Sequence, residues 1–213
     1  YSGKTLTQQE IDILKRFSKV FEQAYIRFLD LQKAEAQARE SQIEAALERV
    51  RSRTMGMQKS DELKDVIQVI YEQFVHLNII IDHAGIIMDY KERDDMNIWV
   101  SDHRGNLSQV TIPYFDSEHW NRFNEAKENG KDFFAVNLNF IEKNTFYKKL
   151  FKFIPGLPEE AKDFYFSCPG LAISTVLLDN VSLYIENFSG LSYSDEENAT
   201  LMRFGKVFQQ TYT

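Results

Sequence analysis

The side chains that could do chemistry in this 213-residue chain are few and scattered. No G-x-S-x-G sequence, phosphate-binding glycine loop or kinase motif is present. The four histidines lack the H-E-x-x-H and H-x-x-E-H spacings that place two metal ligands on one helix face. They are His76, His83, His103 and His119. We therefore predict no catalytic residue, no metal site and no particular cofactor, and an enzyme is the least favoured of three functional hypotheses.

Two other candidate groups have simpler structural interpretations. The single cysteine, Cys168, precedes Pro169 at the start of a predicted strand, where we expect a buried, inert thiol, with redox sensing as the alternative. Glu92, Asp94 and Asp95 fall in a predicted hairpin turn, which favours a solvated loop over a cation site. One cysteine allows no internal disulfide and is typical of a reducing compartment, so we expect a cytoplasmic protein.

Aromatic residues are concentrated in the middle of the chain and supply the one candidate binding site. Such rings either fill a core or line an apolar pocket with a few polar anchors, and both interpretations stay open. If a pocket forms, we expect a small planar or acyl ligand, with Arg122 or His83 as the polar anchor. The predicted aromatic lining is Trp99, Phe115, Trp120 and Phe134.

The overall charge limits the partners. The formal net charge is −7 at pH 7, which disfavours nucleic acid or an anionic membrane as the main partner. No run of 18 or more apolar residues occurs in the sequence. We expect contact with neither nucleic acid nor membrane.

The elements that position these residues begin with a long helix. Thr7, followed three residues later by Glu10, forms a capping-box pattern, and no Gly or Pro occurs in residues 4–55. Apolar residues recur at steps of three and four, in a narrow stripe that needs a partner helix. We therefore predict a parallel homodimer with its seam at Leu14, Phe17, Phe21, Phe28, Leu31, Ile43, Leu47 and Val50.

The rest of the chain alternates strands and helices after Gly56, which we predict to act as a hinge. The pattern predicts a helix capped by Ser60 and a closing helix capped by Ser194, with a hairpin that turns at Asp179-Asn180. Between them we predict strands at 79–90, 96–101, 107–113 and 132–138 and a hairpin turn at 103–106. We also predict helices at 117–128, with Asp116 or Ser117 as the cap, at 144–153 and at 159–164. This order predicts an α+β sandwich with an antiparallel sheet of five or six strands. The opening and closing helices would share one face, and residues 114–169 would cover the other.

The end of the chain repeats its beginning. Residues 1–26 and 188–213 align without gaps at an offset of 187 residues, and 11 of the 26 positions are identical. Chance would give about one or two identities. The chain therefore looks like one period of a tandem array. We divide it into a closing helix of a preceding unit (1–25), a connecting helix (26–59) and a globular domain (60–213).

The order of strands and helices in residues 60–213 resembles a GAF domain. The segment KAEAQARESQIEAALERVRSRTMGMQKSDEL resembles the helix that joins GAF-like domains in multidomain sensor histidine kinases of Bacteroidetes, and LKRFSKVFEQAYIRFLDLQKAEAQARE enters that helix. The resemblance implies a sensory or relay domain upstream of an output module. It also implies dimerisation through parallel helices, with the middle segment as a lid over the ligand-binding face of the sheet.

The ligand signatures of well-known GAF domains are missing. The Asn-Lys…Phe…Asp-Glu set of cyclic-nucleotide-binding members is not recognisable, and Cys168 does not lie in the context of a bilin-attaching cysteine. The ligand therefore stays unassigned. We predict a cytosolic module that passes ligand or neighbour-domain state through paired helices to an output domain. The main rival is a ligand-free dimerisation and spacer scaffold.

Overall fold

The structure, a computed structural model, describes residues 5–57, 62–102, 107–179 and 181–212. The chain divides into two compact units, Tyr1–Glu44 and Ala45–Thr213. The first unit contributes most of the long helix α1 (Gln8–Met55). This helix begins with the predicted capping box, in which the Thr7 backbone N–H donates to Glu10 Oε2 at 2.7 Å.

Among the described residues, six strands form one antiparallel sheet. They are β1 (His83–Met88), β2 (Met96–Asp102), β3 (Leu107–Ile112), β4 (Phe133–Leu138), β5 (Leu171–Leu177) and β6 (Val181–Asn187). Their spatial order is β3-β2-β1-β6-β5-β4. Strands β1 and β6, the first and the last of the six in the sequence, therefore pair at the centre of the sheet.

Helices cover both faces of this sheet, so the predicted α+β sandwich is confirmed. The helices after α1 are α2 (Leu63–His76), α3 (Glu118–Glu128), α4 (Phe140–Leu150), α5 (Glu159–Ser167) and α6 (Asp195–Tyr212). On one face, α2 and α6 bury Phe74 and Phe204 completely, with ring centroids 4.6 Å apart. Burying a side chain of this size contributes about 1.5–3 kcal/mol. Residues 114–169, here called the lid segment, pack on the opposite face.

The predicted starts of two elements are wrong by four residues, each because of a local backbone signal. Helix α4 begins at Phe140 rather than at 144, because Asn139 and Glu142 form a capping box: Asn139 Oδ1 accepts from the Glu142 N–H at 3.1 Å, and Glu142 Oε2 accepts from the Asn139 N–H at 3.0 Å. Strand β1 begins at His83 rather than at 79, because Asn78 adopts a φ of 57° and turns the chain out of α2.

The remaining predictions concern the end of α1 and several caps and turns, some of which lie outside the residues that the structure describes. Helix α1 ends at Met55, immediately before Gly56, and the hinge at Gly56 stays a prediction. The predicted cap Ser60, the turn at 103–106, which contains His103, and Asn180 of the second hairpin lie outside the described residues. Of the helices in the described part of the chain, none combines the length and apolar character needed to cross a membrane.

Candidate ligand site

A cavity of about 150 Å³ lies between the sheet and the lid segment. Strands β1, β2, β3, β5 and β6 supply its floor, and the lid segment supplies its roof. The floor includes alternate residues of neighbouring strands, such as Ile98, Val110 and Ile173, because side chains of a strand alternate between its two faces. Most of the lining is apolar.

A glycine sets the depth of the floor. Gly85 of β1 pairs directly with Tyr184 of β6, and the tyrosine ring lies across the glycine. A Cβ atom at Gly85 would lie 2.5 Å from Cε1, Cζ and Oη of Tyr184. Glycine is therefore the residue that lets this ring lie against the backbone, and it keeps the space above the ring open.

The start of α3 places two cavity residues. Ser117 caps the helix, because its side chain accepts from the Trp120 N–H at 3.3 Å. The helix then buries His119, Trp120 and Phe123 towards the sheet. The Trp120 ring packs edge-on against Phe115, at a centroid distance of 6.5 Å, and both rings line the cavity.

His119 is the unusual polar group of the site. Its ring is 8% exposed, lines the cavity and has an Nδ1 atom without a hydrogen-bond partner. Burial lowers the pKa of His119 to about 4, so the imidazole is neutral at physiological pH. A buried polar atom without a partner costs about 1–3 kcal/mol, which a bound molecule carrying a hydroxyl or amide group would recover.

The other polar groups gather around one hydrogen-bonded pair. His83 Nδ1 and Glu186 Oε1 are 2.7 Å apart, and both side chains line the cavity. Two lining phenols, Tyr147 and Tyr184, have pKa values raised well above 10, first because they are buried and next because Glu186 is near. They are therefore neutral at any physiological pH.

A buried lysine joins two helices of the lid segment. Lys143 of α4 is completely buried, and its Nζ donates to the backbone carbonyls of Tyr165 and Phe166, the second at 3.2 Å. These carbonyls lie in the last turn of α5, where a cation also interacts favourably with the helix dipole. Burial lowers the pKa of Lys143, and the neighbouring Cys168 acts in the opposite direction.

The structure brings together three of the six predicted pocket residues. His83, Phe115 and Trp120 line the cavity, and His83 is paired with a carboxylate. The other three lie elsewhere. Trp99 faces the α2 side of the sheet, because its strand neighbours Ile98 and Val100 take the cavity side. Phe134 is buried behind His119, with ring centroids 5.8 Å apart, and Arg122 is exposed in an ion pair with Glu118.

Sequence reasoning missed most of the polar groups of the site. The spacing of the histidines does not single out His119, although it follows the cap Ser117 and precedes Trp120 in a helix turn that faces the sheet. Glu186 and Tyr184 carry no local signal, because their partners in β1 lie about a hundred residues earlier in the chain. The glycine within the β1 pattern was the available clue to a close ring contact.

The remaining candidate groups have structural explanations. Cys168 is buried, its Sγ donates to the Phe164 carbonyl at 3.1 Å, and burial raises the pKa of its thiol. Asp95 pairs with Arg93 at the surface, and this hydrogen bond lowers the pKa of the carboxyl. In the ranges that the structure describes, no group of three or more His, Cys, Asp or Glu side chains is arranged to hold a metal ion.

The predicted dimer seam divides into two parts by exposure. Leu14, Phe17, Phe21, Phe28 and Leu31 are between 52% and 72% exposed. Ile43, Leu47 and Val50 are at most 4% exposed within the single chain. The homodimer itself stays a prediction, and its open apolar surface is confined to the earlier part of α1.

Solved structures with a similar fold exist, but neither a family model nor a curated protein matches the sequence. Similar solved structures include the GAF domain of an Acinetobacter phosphoenolpyruvate-protein phosphotransferase, with 11% identity, a TM-score of 0.47, and coverage of 79% of this chain and 90% of that chain. A free methionine-R-sulfoxide reductase from Neisseria meningitidis, in complex with its substrate, has 11% identity and a TM-score of 0.48, covering 80% and 87%. Residues 122 to 287 of a methyl-accepting chemotaxis protein have 13% identity and a TM-score of 0.41, covering 78% and 95%. At these identities, the activities of the three proteins are not carried over to this chain.

Proposed function

We propose that this chain is a GAF-like sensory and relay module, in which a small, uncharged, largely apolar molecule binds in the cavity. The observation that carries the proposal is the cavity of about 150 Å³ between the sheet and the lid segment, with apolar walls and a few polar groups. Apolar cavities of about this volume hold a molecule of the size of benzene. A small planar compound with one polar group is therefore the favoured ligand.

The polar groups of the wall favour an uncharged ligand. His119 and the phenols are neutral, the lining residues that the structure describes include no lysine or arginine, and His83 is already bonded to Glu186. An anion would enter without a compensating cation, at a cost of several kcal/mol. A hydroxyl group both donates and accepts, so it can satisfy His119 Nδ1 in either tautomer.

The connection from β6 to α6 supports a relay out of the cavity. The His83 ring, which lines the cavity, packs edge-on against Phe188 at a centroid distance of 5.1 Å. The Phe188 N–H donates to Asp82 Oδ2 at 2.6 Å, so this residue is held between β1 and the start of the connection. A ligand that displaces His83 would therefore act on the segment that leads into α6.

A glycine contact ties the lid segment to the same connection. A Cβ atom at Gly170, just after α5, would lie 2.8 Å from Gly190 Cα, just before α6. Gly190 has a φ of 73°, which glycine adopts without strain. Because the two backbones touch, a lid displacement on ligand binding would also move the start of α6.

The linker resembles the helix that joins GAF-like domains in multidomain sensor histidine kinases. We propose a cytoplasmic histidine kinase as the parent protein, with α1 pairing in a parallel homodimer and Gly56 as a hinge, because a stiff helix pair has discrete packing states. The ligand-free scaffold remains the rival. Acid–base catalysis is a third candidate, because the cavity holds one titratable pair within hydrogen-bond reach, His83 and Glu186.

Thermal unfolding with a matched set of probes tests the proposal. Phenol and indole are the neutral probes, and benzoate is the anionic control. A ligand at a hundred times its Kd stabilises a protein by about 2.7 kcal/mol, which raises the Tm of a domain of this size by about 5–10 °C. We expect a shift with the neutral probes that Trp120→Ala abolishes and Trp99→Ala, on the other face of the sheet, leaves unchanged. If Trp120→Ala kept every ligand response, the assignment of this cavity would be wrong.

A further inference from the structure

We infer that residues 8–25 are a docking surface for the sheet of a preceding GAF-like unit, as α6 is for the sheet of this unit. The surface consists of Leu14, Phe17, Val20 and Phe21, here called the N-terminal apolar face. These side chains are 54%, 70%, 64% and 72% exposed. Four large apolar side chains on one side of a helix form a patch that normally marks an interaction site.

The repeat identifies the occupant of this face, because the same four residue types recur at the offset of 187. Their counterparts in α6 are Leu201, Phe204, Val207 and Phe208. These are 0%, 0%, 6% and 0% exposed. The identical set is thus fully buried in one copy of the helix and open in the other.

The two helices also begin in the same way. The Thr7 N–H donates to Glu10 Oε2 at 2.7 Å, and the Ser194 N–H donates to Glu197 Oε2 at 2.7 Å. Because the caps fix the starting residue, the four apolar positions have the same rotation about each helix axis. On the solvent side of α6, Lys206 is exposed, and its counterpart in the first helix is Lys19.

The partner of the face in α6 is a sheet with a helix beside it. Phe204 packs against Phe74 of α2 at 4.6 Å, and the helix lies so close to β5 that a Cβ at Gly205 would be 3.0 Å from Val176 Cγ1. The four residues of the N-terminal apolar face follow one another at steps of three, three and one. They cover a wider part of the helix surface than the two positions per heptad that form the seam of a coiled coil. The N-terminal apolar face therefore fits a sheet better than a second helix.

One residue differs between the two copies of the helix in a way that indicates the shape of the preceding sheet. The counterpart of Gly205 is Ser18, so the preceding sheet must leave room for a side chain where this unit has Val176. We expect a smaller residue there. With residues 8–25 on that sheet, Leu14, Phe17 and Phe21 no longer belong to the predicted dimer seam, and pairing of α1 with a second chain begins after them, where Phe28 and Leu31 are exposed.

A tandem protein tests the inference. Residues 45–187 are fused in front of Tyr1, with Ser18→Gly to restore the close approach, so that residues 8–25 follow the added β6 at the natural spacing. Hydrogen–deuterium exchange is then compared with that of the 213-residue chain. We expect exchange in residues 8–25 to slow by about tenfold or more, approaching that of α6. Phe17→Asp should remove this protection, and Lys19→Asp should not.

A positive control makes a negative result informative. In a second tandem protein, residues 188–213 replace residues 1–26, so the added copy receives its own closing helix. If that protein protects the added copy and the first one gives residues 8–25 no added protection, the inference is wrong. It is also overturned if the 213-residue chain alone protects residues 8–25 and loses that protection on dilution, because the occupant is then a second copy.

Discussion

The substitution Gly85→Ala tests the account of the cavity floor. A Cβ at this position would lie 2.5 Å from three atoms of the Tyr184 side chain, whereas ordinary contacts between carbons begin at about 3.5 Å. The ring must therefore retreat by about 1 Å, away from the sheet and into the cavity. Overpacking of this kind costs about 1–3 kcal/mol, and replacing a strand glycine recovers about 0.5–1 kcal/mol. We expect a net loss of about 1 kcal/mol in the free energy of unfolding.

The same substitution should weaken a cavity ligand by more than it destabilises the fold. In the free protein, the displaced ring uses empty space, whereas a bound molecule would press it back onto the new methyl group. An additional cost of about 1.4 kcal/mol corresponds to a tenfold rise in Kd. Urea unfolding with and without phenol measures both effects.

Gly205→Ala is the matched control, because it introduces the same methyl group on the other face. Its Cβ would lie 3.0 Å from Val176 Cγ1, remote from the cavity lining. It should alter stability without altering the affinity for phenol. If Gly85→Ala bound phenol as the wild type does and unfolded at the same urea concentration, the description of Tyr184 as a movable floor would be refuted.

Further predictions concern buried polar groups and the repeated helix. The pKa of His119 is 6.5 in the unfolded chain and about 4 in the folded protein, so the unfolded chain binds the proton more tightly. The free energy of unfolding should therefore decrease by about 3 kcal/mol from this group as the pH falls from 6.5 to 4. In His119→Phe, urea unfolding across this pH range should no longer show that decrease. Lys143→Met should cost about 1–3 kcal/mol, because two carbonyls of α5 lose their donor, whereas exposed Lys148→Met should change little. Phe204→Ala should cost about 3–5 kcal/mol, and Phe17→Ala less than about 0.5 kcal/mol, in the dilute 213-residue chain. Equal effects of the two phenylalanine variants would contradict the burial difference.

The fold could be predicted from the sequence to the extent that it depends on local periodicity. The steps of three and four in α1, the alternation in β2 and β3, and the cap at Ser117 each specify one element with its own residues. The start of helix α4 could also be predicted from the sequence, since Asn139 and Glu142 form a capping pattern. The predicted start at 144 is wrong, because this pattern places the first residue of the helix at Phe140.

The site could be predicted only in part, because it depends on pairing between distant segments. Alternation in β2 separates Trp99 from Ile98, but nothing local says which of the two faces receives the lid segment. The pair of His83 and Glu186 depends on the register of β1 with β6. Nearby aromatic residues such as Phe115 and Trp120 were found because a single short connection and one helix turn place them together.

Native mass spectrometry of the chain, purified gently from the cells that express it, tests the central claim most directly. We predict an added mass of one small molecule for each chain, retained in Trp99→Ala and lost in Trp120→Ala. An unmodified mass in every charge state, together with the absence of a Tm shift with phenol or indole, would contradict ligand sensing in this cavity.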